Sequence, residues 1–187
     1  KNMRVIAGKA RRLQLKTPEG FDTRPTTDRI KETLFNILNP YLADADFLDL
    51  FSGSGAIGIE ALSRGAKYAA FVENDKAALS CIRSNLKTTK LEGQAQVFAL
   101  DALEAIRALE IQGKVFDVIF MDPPYDLLLE KQILLMLQNS NIIYCDTIIV
   151  METSLHTDFD YLTDTKFQIF RKKEYKSNQH VFIKVKK

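Results

Sequence analysis

The stretch from Phe47 to Gly58, FLDLFSGSGAIG, constrains the fold more than any other part of this 187-residue chain. Phe47, Leu48, Leu50 and Phe51 form the short apolar run of a buried strand. The run breaks at Ser52 into the turn Gly53-Ser54-Gly55, and Ala56 to Leu62 then reads as the start of a helix. Strand, glycine turn and helix make the corner that holds a phosphate or nucleoside in a doubly wound α/β sheet. Gly53, Gly55 and Gly58 satisfy G-x-G-x-x-G. That match alone does not separate a nicotinamide dinucleotide from other adenosine-containing ligands.

Two further features point away from a nicotinamide. Asp49 lies inside the strand, where an unpartnered carboxylate is costly. It either caps the glycine turn or faces a cationic ligand group, such as the amino group of a methionine moiety. The second feature is Asp122-Pro123-Pro124-Tyr125, which directly follows the apolar run FDVIFM. Together they make S-adenosylmethionine the expected cofactor.

The rest of the chain fits one α/β domain. Met3, the expected natural start, opens a basic β-hairpin to Leu15 with Gly8-Lys9 at its turn. A turn-rich linker follows, and Pro25 with Thr26-Thr27 begins a helix that runs to Asn39-Pro40. Its apolar face should dock on the sheet and carry Arg24 and Thr26 towards the glycine corner. After the corner, strands are expected at Tyr68 to Val72, Gln96 to Leu100, Val115 to Met121 and Thr147 to Met151, alternating with helices. Two more strands, about Lys166 to Tyr175 and Gln179 to Val185, end the chain. β/α repeats followed by a hairpin predict a mostly parallel sheet whose last strand is antiparallel. The organisation is read as residues 3–40, a basic hairpin with a lead-in helix, and residues 41–187, the catalytic domain.

Glu73 closes the second of these strands 20 residues after Gly53, where an adenosine site wants a carboxylate for the ribose hydroxyls. Asp101-Ala102 ends the third. Asp101 either accepts from an adenine amino group or caps the next helix, and the two roles are compatible.

Charge is unevenly spread. Residues 1–31 hold nine Lys/Arg against three Asp/Glu, residues 165–187 eight against one, and the middle nine against twenty. Basic ends on an acidic body suit a polyanionic partner. No long uncharged apolar run or secretory signal is present in the sequence, so a cytoplasmic protein without membrane contact is expected. Cys81 and Cys145 lack metal-ligand spacing and read as reduced core residues; His156 and His180 read as structural, and no metal is expected.

The chemistry concentrates at Asp122. A nucleobase amino group is a poor nucleophile, because its lone pair is delocalised into the ring. Acceptors that hold its N–H bonds improve it, and the Asp122 carboxylate with the Pro123 carbonyl can do so. Two successive prolines stiffen this corner and remove competing N–H groups. Tyr125 offers a flat face on which an extruded base can stack.

Asp49-Leu-Phe-Ser-Gly-Ser-Gly55 with Asp122-Pro-Pro-Tyr125 resembles the class I S-adenosylmethionine-dependent amino-methyltransferases. With Thr23-Arg-Pro-Thr-Thr-Asp-Arg29, Phe35-Asn36 and Arg4-Val-Ile-Ala-Gly8 added, the chain is similar to the RsmD-type rRNA methyltransferases of bacteria. The resemblance implies a Rossmann-like seven-stranded sheet and methylation of the exocyclic N2 of one guanine in 16S rRNA of the small subunit. It implies cofactor contacts from Asp49, Phe51, Gly53, Gly55, Glu73, Asp101 and Ala102, and a target-base corner of Asp122, Pro123, Pro124 and Tyr125. Arg4, Arg11, Arg12, Arg24 and Thr26 would lie near the RNA, and a monomer is expected. One departure is the last hairpin turn, Tyr175-Lys-Ser-Asn178, where the family pattern has a glycine after the aromatic. Competing readings are a DNA adenine-N6 methyltransferase, which usually needs a separate recognition domain, and an NAD-dependent dehydrogenase, which leaves Asp49 and the prolines idle. A non-catalytic RNA-binding module is the third.

Overall fold

The computed structural model describes residues 3–18, 27–124 and 128–187. Arg24, Thr26 and Tyr125 lie outside the described residues.

Seven strands form one sheet: β3 (Asp46–Asp49), β4 (Tyr68–Val72), β5 (Ala95–Phe98), β6 (Val118–Met121), β7 (Ile148–Ser154), β8 (Phe167–Glu174) and β9 (Asn178–Val185). Their spatial order is β5-β4-β3-β6-β7-β9-β8, with β9 antiparallel to both of its neighbours. The expected mostly parallel sheet with an antiparallel last strand is what forms. β3 is followed on one side by β4 and joined on the other by β6, so the strand order reverses between β3 and β6. Ligands of such sheets sit outside the carboxyl ends of the strands at that reversal.

Helices cover both faces: α1 (Asp28–Leu38), α2 (Ala56–Ser63), α3 (Lys76–Thr89), α4 (Ala102–Ile111) and α5 (Leu129–Leu137). Alternate strand residues point to opposite faces. Phe47, Phe71, Phe120 and Val150 therefore share one core with Leu34 and Phe35 of α1 and Ile59 of α2. Leu48, Ile119 and Met151 face the other, with Ile106 of α4 and Ile133 of α5. Among the described residues, no helix is long and apolar enough to cross a membrane.

The amino-terminal hairpin is shorter than its sequence suggests. Its ladder is only β1 (Met3–Arg4) against β2 (Gln14–Leu15). The segment between spends its backbone groups on α2: Ile6 and Ala7 N–H donate to the Glu60 carboxylate at 2.9 and 3.0 Å, and Ala10 N–H to Ser63 Oγ at 2.9 Å. Cys145 is likewise not a core residue; it is exposed in the loop before β7.

Glu60 ties three segments together. Besides the two amides it meets Lys31 Nζ of α1 at 3.2 Å and Arg64 Nε at 2.8 Å, with Lys31 and Glu60 side chains fully buried. Burial pulls the Lys31 pKa down, against the opposing pull of Glu60. Removing one partner of such a pair leaves an uncompensated buried charge, at a cost of about 3–5 kcal/mol. Glu60→Leu is therefore expected to lower stability by about 4 kcal/mol in denaturant titration. A loss below about 1 kcal/mol, the scale of an exposed pair, would contradict this role.

Candidate active site

The site is built on the carboxyl ends of β3, β4 and β6. The turn after β3 is pinned from several directions. Ser52 N–H donates to Val72 O at 2.9 Å, and Ser52 Oγ accepts from Val72 N–H and donates to Asp49 O, both at 3.0 Å. Gly55 takes φ of 80° as it caps α2, a conformation in the left-handed region. At Gly58 a Cβ would stand 2.4 Å from Cε1 of Phe71, so only glycine lets α2 lie this close to β4.

Glu73 ends β4 and braces the turn. One carboxylate oxygen accepts from Gly53 N–H at 2.9 Å; the other accepts from Asn74 and Asp75 N–H at 2.8 and 2.9 Å. Asn85 of α3 completes the brace, with Nδ2 donating to Ser54 O at 2.8 Å and Lys16 O at 2.9 Å. Lys16 follows β2, so Asn85 joins the amino-terminal arm to the glycine turn. Nothing in the local sequence around Asn85 signals this, because the contact spans 69 residues.

Asp49 is 1% exposed. Its Oδ2 accepts from Gly58 N–H at 3.3 Å, while Oδ1 is buried with no hydrogen-bond partner among the described residues. Burial pushes this carboxyl up to about 7, with Gly58 N–H pulling against it and the Glu73 charge adding to it. A buried acceptor without a donor is unfavourable unless a ligand supplies one. In the turn that follows, nothing among the described residues except the chain neighbours lies within 4 Å of the place where a Gly53 Cβ would stand. An open cradle next to an orphaned carboxylate oxygen fits a ligand that brings a cation, as the methionine end of S-adenosylmethionine does.

Asp122 follows β6 directly and is exposed, whereas Pro123 behind it is buried and Pro124 exposed. Protein crowding around the carboxyl, then the charges of Glu152 and Asp49, push its pKa up to about 8. The strand registers explain this crowding. Asp49 pairs with Phe120, two residues before Asp122, and Met121 pairs with Met151, so Asp122 and Glu152 follow side by side on the same face as Asp49. Three carboxylates thus line one edge of the sheet, one per adjacent strand.

The remaining expected residues divide. Phe51 is half-buried beside Ser52 at the glycine corner, and Ala102 is buried at the start of α4. Asp101 caps α4, its Oδ1 accepting from Glu104 N–H at 2.9 Å while the Glu104 carboxylate accepts from Asp101 N–H at 3.4 Å. Arg4 is paired with Asp28 at 2.8 Å, while Arg11 and Arg12 are exposed on the amino-terminal loop. A groove with Arg29 of α1 on one wall and Lys173 and Lys176 of the β8–β9 hairpin on the other opens at the same sheet edge. The larger cleft of about 450 Å³, between Tyr41, Asp117 and Tyr144, opens at the opposite, amino-terminal strand ends and takes no part in the site.

The carboxyl shifts set the pH response of the ligand-free protein. Asp49 and Asp122 both titrate above their ordinary 3.8. Between that value and about 7 to 8 the folded state therefore binds more protons than the unfolded chain, and stability falls as pH rises. The melting temperature without ligand is expected to decline from pH 5 to pH 8, and the rise produced by saturating S-adenosylmethionine to grow over the same interval. A ligand-induced rise that shrinks as pH increases would contradict a carboxylate–cation seat.

A class I methyltransferase sheet, with an orphaned acidic group at the glycine turn and Asp-Pro-Pro at the fourth parallel-sheet strand end, defines the class of protein. Residues 3–184 match the model of the family described as Conserved hypothetical protein 95, and this chain belongs to that family. It is an RsmD-type methyltransferase. The chain is 41% identical over 154 residues to the ribosomal RNA small subunit methyltransferase D of Haemophilus influenzae, covering 81% of this chain and 78% of the relative. The Escherichia coli protein of the same name is 37% identical over 153 residues, covering 82% and 75%. The solved structure of the Escherichia coli protein yhhF superimposes with a TM-score of 0.85 at 32% identity, over 100% of this chain and 99% of that one.

Proposed function

We propose that this protein transfers the methyl group of S-adenosylmethionine to the exocyclic N2 of a guanine in 16S rRNA of the small ribosomal subunit. The observation that carries the reading is the buried Asp49 oxygen, without a partner among the described residues, in a row with Asp122 at the carboxyl ends of β3 and β6. The names of the Haemophilus influenzae and Escherichia coli relatives support the small-subunit rRNA as substrate.

When bound, S-adenosylmethionine supplies a methyl group activated by a sulfonium. Asp49 holds the cationic methionine end, and the braced turn from Ser52 to Gly55 leaves room for the cofactor. Asp122 and the Pro123 carbonyl accept the two N–H bonds of the guanine amino group and turn its lone pair towards the methyl carbon. The amino nitrogen would receive the cofactor's methyl carbon, sulfur keeping the electron pair of the C–S bond, and the nitrogen would gain a positive charge. Asp122, already of raised proton affinity, would take the proton that the amine sheds. Tyr125 would stack on the base. Arg4, Arg11, Arg12, Arg24 and Thr26 would lie along the RNA, with Arg29, Lys173 and Lys176 of the groove beside the site adding to phosphate attraction. In this reading the protein acts as a cytoplasmic monomer, residues 3–40 forming the RNA-facing portion and residues 41–187 the catalytic one.

Transfer of radiolabelled methyl to small-subunit particles lacking their modifications, compared with duplex DNA of matched nucleotide content, tests the substrate class. Label on rRNA and none on DNA is expected. Label confined to DNA would replace this reading with that of a DNA amino-methyltransferase.

A further inference from the structure

Glu152, on β7 beside Asp122, has a surrounding of unusual completeness. Asn178 Nδ2 donates to its Oε1, and its Oε2 meets His180 Nε2 at 3.0 Å. His180 Nδ1 in turn meets the Tyr175 hydroxyl at 3.2 Å. One neutral tautomer satisfies both contacts, with the ring proton on Nε2 given to Glu152 and Nδ1 accepting from Tyr175. The imidazole is fully buried and stands edge-on to Phe120, at 6.1 Å and 81°, and to Tyr175, at 5.1 Å and 80°. Register fixes the arrangement, since Glu152 pairs with His180 across β7 and β9. The Glu152 side chain is left 11% exposed. A carboxylate has about four lone-pair positions, and two donors leave room for a third.

So elaborate a clamp does not serve the row's cofactor end, which is Asp49 on β3. It fixes an acceptor about one strand spacing, roughly 4.8 Å, from the acceptor Asp122. Two carboxylates side by side demand two adjacent donors on whatever lies against them. Guanine alone among the four bases offers them on its Watson–Crick edge, as N1–H next to the 2-amino group. Adenine and cytosine place an unprotonated ring nitrogen beside the amino group, and its lone pair is repelled by an anionic oxygen. Uracil has a ring N–H but no amino group.

We propose that Glu152 selects guanine, its carboxylate accepting N1–H while Asp122 accepts from the 2-amino group, and that His180, Asn178 and Tyr175 position it. The proposal rests on the reading above that a guanine amino group is methylated, and supplies the physical basis for the choice of base. The influence of the Glu152 charge on Asp122 agrees with the two carboxyls sharing one neighbourhood.

The test uses small-subunit particles reconstituted from rRNA in which the methylated guanine is replaced by 2-aminopurine or 2,6-diaminopurine. Both analogues keep the 2-amino group and carry an unprotonated N1. Wild-type protein is expected to methylate either one at least ~100-fold more slowly than guanine, because a site built for a donor rejects a substrate without it. In Glu152→Gln the side-chain amide can turn its NH2 to an unprotonated N1. The preference should then shrink to within about tenfold, with S-adenosylmethionine affinity unchanged. Equal wild-type rates on guanine and 2-aminopurine would overturn the role of Glu152 while leaving guanine-N2 methylation standing. Undiminished preference in a Glu152→Gln protein that binds cofactor normally would assign N1 to another group and overturn it as well. If wild-type protein yields no N2-methylguanosine on unsubstituted particles, the functional reading fails and the inference fails with it.

Discussion

Asp122→Ala is expected to lower the rate of methyl transfer by ~10³-fold or more, while S-adenosylmethionine affinity changes by less than about threefold. The two readouts separate because Asp122 stands at the end of β6 and the proposed cofactor cradle is on β3 and β4. In the proposed mechanism, removing the carboxylate takes away an acceptor for the amino N–H bonds and the group that receives the proton. Asp122→Asn keeps one acceptor oxygen but loses the basic one, and its rate should fall between the wild type and the alanine variant. Single-turnover rates under saturating cofactor, beside calorimetric titration of the cofactor, provide the check. Wild-type rates in Asp122→Ala would mean that the protein acts on RNA without this chemistry, as a binding module would.

The second large effect is expected at Asp49. Truncating one partner of a buried, hydrogen-bonded charge pair costs about 2–5 kcal/mol, which converts to ~30- to 5,000-fold weaker cofactor binding. Asp49→Ala should therefore lose nearly all of the thermal stabilisation that S-adenosylmethionine gives the wild type. The ligand-free variant should melt no lower than the wild type. In the empty protein the carboxyl has a buried oxygen without a partner among the described residues, and burial raises its pKa to about 7. Deleting such a group removes the penalty of the unpartnered oxygen and gives up the long Gly58 N–H contact at 3.3 Å. A marked fall in ligand-free stability with cofactor affinity retained would reverse the assignment and make Asp49 structural.

The positions of these two residues at strand ends were legible in the sequence because their signals are local. A carboxylate inside an apolar run and a double proline after one are conspicuous in any window, and Asp49 and Asp122 both fall at strand ends on the ligand side. The mostly parallel sheet with an antiparallel last strand was legible from the same periodicities, since β/α repeats followed by a hairpin call for it. Glu73 was placed correctly at a strand end, but the structure shows it first as a brace for the turn through Gly53 N–H. The capping role of Asp101 was also readable, from Glu104 three residues on.

What escaped the sequence is long-range. Glu60 looks like one charge in the apolar helix AIGIEALS, and only the fold brings it to Lys31 and to the amides of Ile6 and Ala7. The amino-terminal segment alternates like a hairpin, yet its amides find better acceptors on α2 than on each other. His180 read as an isolated structural histidine, and Glu152 drew no attention, because their pairing depends on β9 inserting between β7 and β8. Cys145 follows an apolar stretch but sits in the exposed loop before β7.

The most direct test of the central claim is the identity of the product nucleoside. Small-subunit particles lacking their modifications are incubated with the protein and methyl-labelled S-adenosylmethionine, and the rRNA is digested and its nucleosides separated. The account predicts label in N2-methylguanosine alone. Label in N6-methyladenosine would preserve the catalytic corner and contradict the substrate, and unlabelled rRNA from a protein that does not bind S-adenosylmethionine would contradict the account as a whole.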